Sequence, residues 1–138
     1  MIVGRQLEFQ TRGEDDVIDI TAAVRTALAE CGLRDGTVTL FVAGSTAALT
    51  TVEYEPGVVA DLKAALARLA PREHAYRHHE TAGDENGHSH VRAALLGPSL
   101  VIPFAQGQLL LGTWQQVVFI DFDVRPRRRI VVAQIMGE

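Results

Sequence analysis

Between Leu100 and Ile135 the chain reads LVIPFAQGQLLLGTWQQVVFIDFDVRPRRRIVVAQI. Four runs of β-formers, Leu100 to Phe104, Leu109 to Leu111, Val117 to Phe122 and Ile130 to Ile135, are separated by short polar breaks. Branched and aromatic side chains in runs of this length pack well on a pleated surface, so each run is predicted to be a strand. Ala105-Gln106-Gly107-Gln108 is predicted to close one hairpin. The arginine-rich Arg125 to Arg129 is predicted to close a second, between Val117–Phe122 and Ile130–Ile135. The arginine run is read as a solvated turn, with phosphate binding as the alternative.

Upstream, the periodicity alternates. Leu7 to Thr11 is predicted as a strand stopped by Gly13. Ala22 to Cys31 carries Val24, Ala27 and Leu28 at helical spacing, and Gly32 ends it. Val38 to Val42 reads as a buried strand, and Gly44-Ser45-Thr46 separates it from Ala47 to Val52. Pro56 suits the first turn of a helix whose apolar stripe is Val59, Leu62, Leu66 and Leu69, closed by Pro71. Residues 72 to 88 are polar and aperiodic, and His90 to Leu96 makes a short helix ending at Gly97. The order β-α-β-α-loop-α-β-β-β-β predicts a single α+β domain, with a mostly antiparallel sheet and two to three helices packed on one face.

Composition narrows the function. With 138 residues, 47% hydrophobic and 22% charged, the chain has the make-up of one globular domain. Thirteen basic against 17 acidic residues, a net charge of −4, disfavour a nucleic-acid binder. No apolar stretch approaches the ~20 residues of a membrane span, and Met1 to Arg5 does not resemble a signal peptide. No membrane partner is therefore expected, and the cytoplasm is the default compartment. Cys31, alone in the sequence, cannot form an internal disulfide and reads as packing.

All five histidines, His74, His78, His79, His88 and His90, fall in one window with Glu80, Asp84 and Glu85. Imidazole and carboxylate are the usual ligands of zinc and similar ions. His88 and His90 share a face only if the chain there is extended; in a helix they stand about 200° apart. Gly44-Ser45-Thr46, at a strand end, offers amides and hydroxyls to phosphate oxygens. Glu55 reads as a helix N-terminal charge, whereas Glu53 is a candidate base or cation ligand. Thr113, Trp114 and Gln115 can line a pocket for a flat ring.

Phe41–Glu53 (FVAGSTAALTTVE), Gly83–Pro98 (GDENGHSHVRAALLGP), Leu109–Gln116 (LLLGTWQQ) and Arg127–Glu138 (RRRIVVAQIMGE) together resemble the YjbQ-like family, known as secondary thiamine-phosphate synthase. The resemblance covers nearly the whole chain. Here Gly44 stands where the family typically has a histidine, Val52 stands where an asparagine is usual, and His88 is extra. The resemblance implies a curved antiparallel sheet and a homotrimer with sites near subunit interfaces. It also implies a small phosphorylated substrate: a hydroxymethylpyrimidine diphosphate is joined to a thiazole phosphate, with release of diphosphate. A divalent ion (zinc, magnesium or manganese) is expected on His78, Asp84, His88 and His90, and no organic cofactor. His90 and Glu53 are the expected catalytic pair. Ser45, Thr46 and Arg92 are expected at phosphate, and Thr113, Trp114 and Gln115 at a ring. The alternatives are a metal-dependent hydrolase of a small phosphorylated or heterocyclic metabolite and a non-catalytic trimeric binder of a metabolite or anion.

Overall fold

A computed structural model describes residues 1–138. Its elements run β1 (Ile2–Thr11), β2 (Asp16–Asp19), α1 (Thr21–Cys31), β3 (Gly36–Val42), β4 (Ala47–Val52), α2 (Pro56–Leu69), α3 (Arg77–Ala82), α4 (Gly87–Leu96), β5 (Ser99–Ala105), β6 (Gln108–Leu109), β7 (Gln116–Asp121) and β8 (Arg127–Gly137). The class is α+β. All strand pairs are antiparallel, in a five-stranded sheet β1-β8-β3-β5-β6 and a three-stranded sheet β2-β7-β4. No helix is long and apolar enough to cross a membrane.

Alternation along the strands explains the layers. On β7, Val117 and Phe119 point into the main core with Leu49 of β4, Val38 and Leu40 of β3, Ile135 of β8, and Val24 and Leu28 of α1. Val118 and Ile120, one residue out of phase, point the other way, onto Leu66 of α2 and Ala93 of α4. The small sheet is thus covered on both faces, which is why β7 reads as a continuous apolar run rather than an alternating one. Burying side chains as large as Phe119 and Leu49 stabilises the fold by about 1.5–3 kcal/mol each.

The first expected hairpin forms, with Phe104 opposite Leu109 and Ala105 opposite Gln108. Gln106 and Gly107 both take positive φ, the geometry that matches the strand twist. The second does not form. Val117–Phe122 belongs to the small sheet, while β8 crosses to the large one and pairs with β1 and β3. The link at 122–126 passes between sheets rather than turning within one. Gly13, two residues past β1, takes φ 75°, and a Cβ there would lie 2.5 Å from the Arg125 carbonyl oxygen, so the 122–126 link packs directly on its backbone.

Other boundaries move for local reasons. Glu55 caps α2, accepting from the backbone N–H groups of Gly57 and Val58 at 2.8 Å each, which holds its carboxyl below the usual range. Leu69 lies outside the buried stripe and is exposed. The stretch expected to be loop contains α3 and the start of α4, making four helices in all.

Candidate functional site

A polar cavity opens where β3 ends, β4 begins and β7 leaves for β8. It has a volume of about 430 Å³, and only two of its 13 lining residues are hydrophobic. Gly44, Ser45 and Thr46 form its floor, and Asp84, Asn86 and His90 come from the α3–α4 loop and α4. Asp123, Arg125, Arg127 and Arg129 come from the β7–β8 link and β8. A smaller, more apolar recess of about 260 Å³ shares Gly44, Ser45 and His90 and is lined further by Ala47, Ala93 and Pro98.

Strand register places the charges. Asp121 follows Val117 and Phe119 on the core-facing side of β7, and Arg129 precedes Val131, Ala133 and Ile135 on the core-facing side of β8. Each apolar row ends in a charge, and the two charges meet across the sheets. Arg129 donates through Nε to Asp121 Oδ2 and through Nη2 to Oδ1, both at 2.9 Å. Thr11 adds a 2.6 Å bond to Asp121. Burial alone would raise the Asp121 carboxyl; Arg129, Thr11 and the Asp123 N–H outweigh it and hold it below its ordinary value.

Asp123 is the second node. Burial would raise it too. The Val124 N–H, Arg127 (2.8 Å), Asn86 and Thr46 all donate to it, and its carboxyl falls to about 2. Asn86 also accepts from His78 Nε2 at 3.1 Å, and the His78 ring lies 4.5 Å, centroid to centroid, from His90. A continuous bonded path therefore leads from His78 through Asn86, Asp123 and Thr46 to Arg129 and Asp121.

Several expected residues are here. Ser45, Thr46, Asp84 and His90 line the cavity, and His78 stands behind His90. Thr46 is committed on both sides, donating to Asp123 and accepting from Arg129, so its hydroxyl holds the wall rather than facing a ligand. Arg92 is not at the cavity. It is buried, donating to the Ala70 carbonyl at 2.9 Å and to both oxygens of Asp15.

His88 is a clear correction. Helix α4 has begun by Gly87, so His88 and His90 cannot share a face. His88 is 2% exposed, and its Nδ1 has no partner. Burial, then Arg92 and Arg72, hold its pKa below the ordinary histidine value. No three His, Cys, Asp or Glu side chains are grouped to hold a metal ion, so the expected four-residue ligand set does not assemble within one chain.

Glu53, Thr113, Trp114 and Gln115 lie elsewhere. Glu53 follows the last residue of β4, about 20 Å from the cavity by strand rise. There Gln115 donates to Thr51 at 3.1 Å, Gln116 accepts from the Tyr54 N–H at 2.9 Å, and Trp114 is 71% exposed. The imidazoles and the Glu53 carboxylate therefore do not converge in a single subunit.

Asp121, Asp123 and Asn86 are not among the residues the sequence pointed to, and Arg127 and Arg129 were read mainly as part of a solvated turn, with phosphate binding as the alternative. The available signal was the in-phase placement of charges at 121, 127 and 129 on strands whose other core-facing residues are apolar.

A family model described as "UPF0047 protein YjbQ-like" matches residues 5–138. A UPF0047 protein of Archaeoglobus fulgidus is 35% identical over 127 residues, covering 92% of this chain and 97% of its own. The Bacillus subtilis UPF0047 protein YugU is 31% identical over 134 residues, 96% of this chain and 98% of its own. The crystal structure of a Sulfolobus solfataricus protein of unknown function superposes with a TM-score of 0.94 at 28% identity, covering 100% of this chain and 99% of that one. An uncharacterized Clostridium acetobutylicum protein does so at 0.88 and 36% identity, over 96% of this chain and 99% of its own. With the match spanning nearly the full sequence, the chain belongs to the YjbQ/UPF0047 family.

Proposed function

We propose that the chain is an enzyme acting on a small phosphorylated metabolite, with the reaction that the family resemblance implies: transfer of a hydroxymethylpyrimidine group to a thiazole phosphate. The observation that carries this reading is the paired cavity. A polar compartment with three arginines and the Gly44–Ser45 floor adjoins an apolar recess, and His90 lines both. A phosphoryl group suits the first and a flat ring the second. In the reaction, the thiazole nitrogen forms a bond to the pyrimidine methylene carbon as the carbon–oxygen bond to diphosphate breaks. The bonding pair leaves with diphosphate. Arg125 supplies positive charge against that leaving group, and Arg129 and His90 donate a hydrogen bond or proton to it. Asp84 and Glu85, on the same wall, favour positive charge on the ring portion.

We further propose a homotrimer in which the Glu53–Trp114–Gln115 end of one copy closes the cavity of the next. Trp114, Val101 of β5 and Leu110, just past β6, are exposed, the last two lining a recess with Gln115, and a second copy would bury them. Glu53 then reaches the reacting groups from outside the subunit that holds His90.

The test is diphosphate release in the presence of both substrates. Release that requires both is the expected result, with His90→Ala lowering the rate by about 10²-fold or more. Binding of both without release favours the non-catalytic binder. Unchanged release in His90→Ala contradicts the site.

A further inference from the structure

The guanidinium of Arg129 is only partly used. Its side chain is 7% exposed. Nε and Nη2 are occupied by Asp121 at 2.9 Å each, and Nη2 also by Thr46 at 2.7 Å, whereas Nη1 donates to no group of the chain. Nη1 is not sealed off from water: Arg129 lines the cavity, and His88 Nδ1 is the buried side-chain atom left without a partner. Arg129 and Gly44 both line the polar cavity, and a Cβ built on Gly44 would sit 3.4 Å from Nη1, with no other atom within 4 Å. Gly44 does not take a positive φ, so its backbone makes no demand for glycine. What the absent side chain provides is room beside the free nitrogen.

We propose that Nη1 of Arg129 is the oxyanion receptor of this cavity, holding one phosphoryl oxygen of the ligand in the space over Gly44. This deepens the reading above and rests on the cavity being a phosphate site. Asp121 fixes the plane of the guanidinium through two parallel bonds, so Nη1 is aimed before the ligand arrives. Because Asp121 also offsets the Arg129 charge, Nη1 reads the position of an oxygen. Arg125, which has no ion-pair partner, is exposed at the cavity and supplies net positive charge. The proposal also gives Gly44 a role in this chain: any side chain there competes with the phosphoryl oxygen for Nη1.

Titration calorimetry with inorganic phosphate at low ionic strength tests it on the unsubstituted protein and on Gly44→Ala and Gly44→Val. Thermal unfolding, run in parallel, confirms that the variants fold. The expected result is a loss of affinity of about tenfold or more in Gly44→Ala, a larger loss in Gly44→Val, and melting temperatures close to the parent. Phosphate should also shift the Arg129 Nη1 signals in a guanidinium nitrogen spectrum of the unsubstituted protein. Equal phosphate affinity in all three proteins, with no Arg129 shift, leaves the phosphate cavity standing and overturns the role of Nη1. No phosphate binding by the unsubstituted protein overturns both.

Discussion

At one end of the three-stranded sheet, β7 runs into Asp121 and the β7–β8 link, and the charges there are taken into the wall and bonded to one another. At the other end, where β4 runs out at Val52, Glu53 and Gln115 stand at the surface beside an exposed Trp114. The same strands supply both ends. The difference lies in what faces each of them. The first end meets β8 and α4, which supply Arg129, Arg127, His90 and, just before the helix, Asn86; the second meets the 110–115 loop, the start of α1 and β5, which bring no charged side chain to it. A concave polar wall needs internal counter-charges to exist at all, and it is then rigid enough to position a ligand. The second end, with its shallow and largely apolar recess and exposed Trp114, needs none.

The largest contrast is expected in stability. Asp121→Ala leaves the Arg129 guanidinium buried without its partner and should destabilise the chain by about 3–5 kcal/mol in chemical denaturation. Glu53→Ala, at the exposed end, should change it by no more than about 0.5 kcal/mol. Comparable losses would erase the distinction between the ends.

Acid should act on the first end next. The Asp123 carboxyl is held at about 2, below the ~3.9 of an unfolded aspartate. Its contribution is therefore complete above pH ~4 and is lost as pH falls towards 2. After allowance for solvent screening this amounts to roughly 1–2 kcal/mol. Asp123→Asn should flatten that part of the acid unfolding curve, and an unchanged curve would contradict the bonding described for this carboxylate.

His88 gives a smaller effect at milder pH. Its folded pKa is depressed, so the unfolded chain binds the proton more readily, and stability falls as pH drops below the ordinary histidine value. His88→Leu should remove that slope between pH 7 and 5, measured by melting temperature. Trp114→Ala should have the least effect on subunit stability. Its consequence should be in assembly: if the proposed trimer forms, the variant should sediment as a smaller species in analytical ultracentrifugation.

The β-rich C-terminal half was legible because period-two and continuous apolar runs report sheet burial directly. The sheet to which β7 and β8 belong was not legible. Two runs flanking a five-residue polar turn look alike whether they pair with each other or cross between sheets, and pairing with Ile2–Thr11 is settled only by tertiary packing. Of the histidine window, His90 lines the cavity and His78 lies beside it, and the helical alternative for His88 and His90 was visible in their spacing. Only the observed start of α4 at Gly87 decides it. The arginine run misled because arginines in a turn are usually solvated. Arg128 is exposed and bonded to Glu8, while Arg129, one residue on, is buried. Glu53 was joined to the histidines by shared motif order, which carries no distance.

The most direct measurement is a crystal structure of the protein grown with inorganic diphosphate. The predicted result is diphosphate bounded by Gly44, Ser45, His90 and Arg129, with Glu53 and Trp114 of a second copy closing the opening. Diphosphate bound only beside Trp114 of its own subunit, with the Gly44–Arg129 space left without it, would contradict the account.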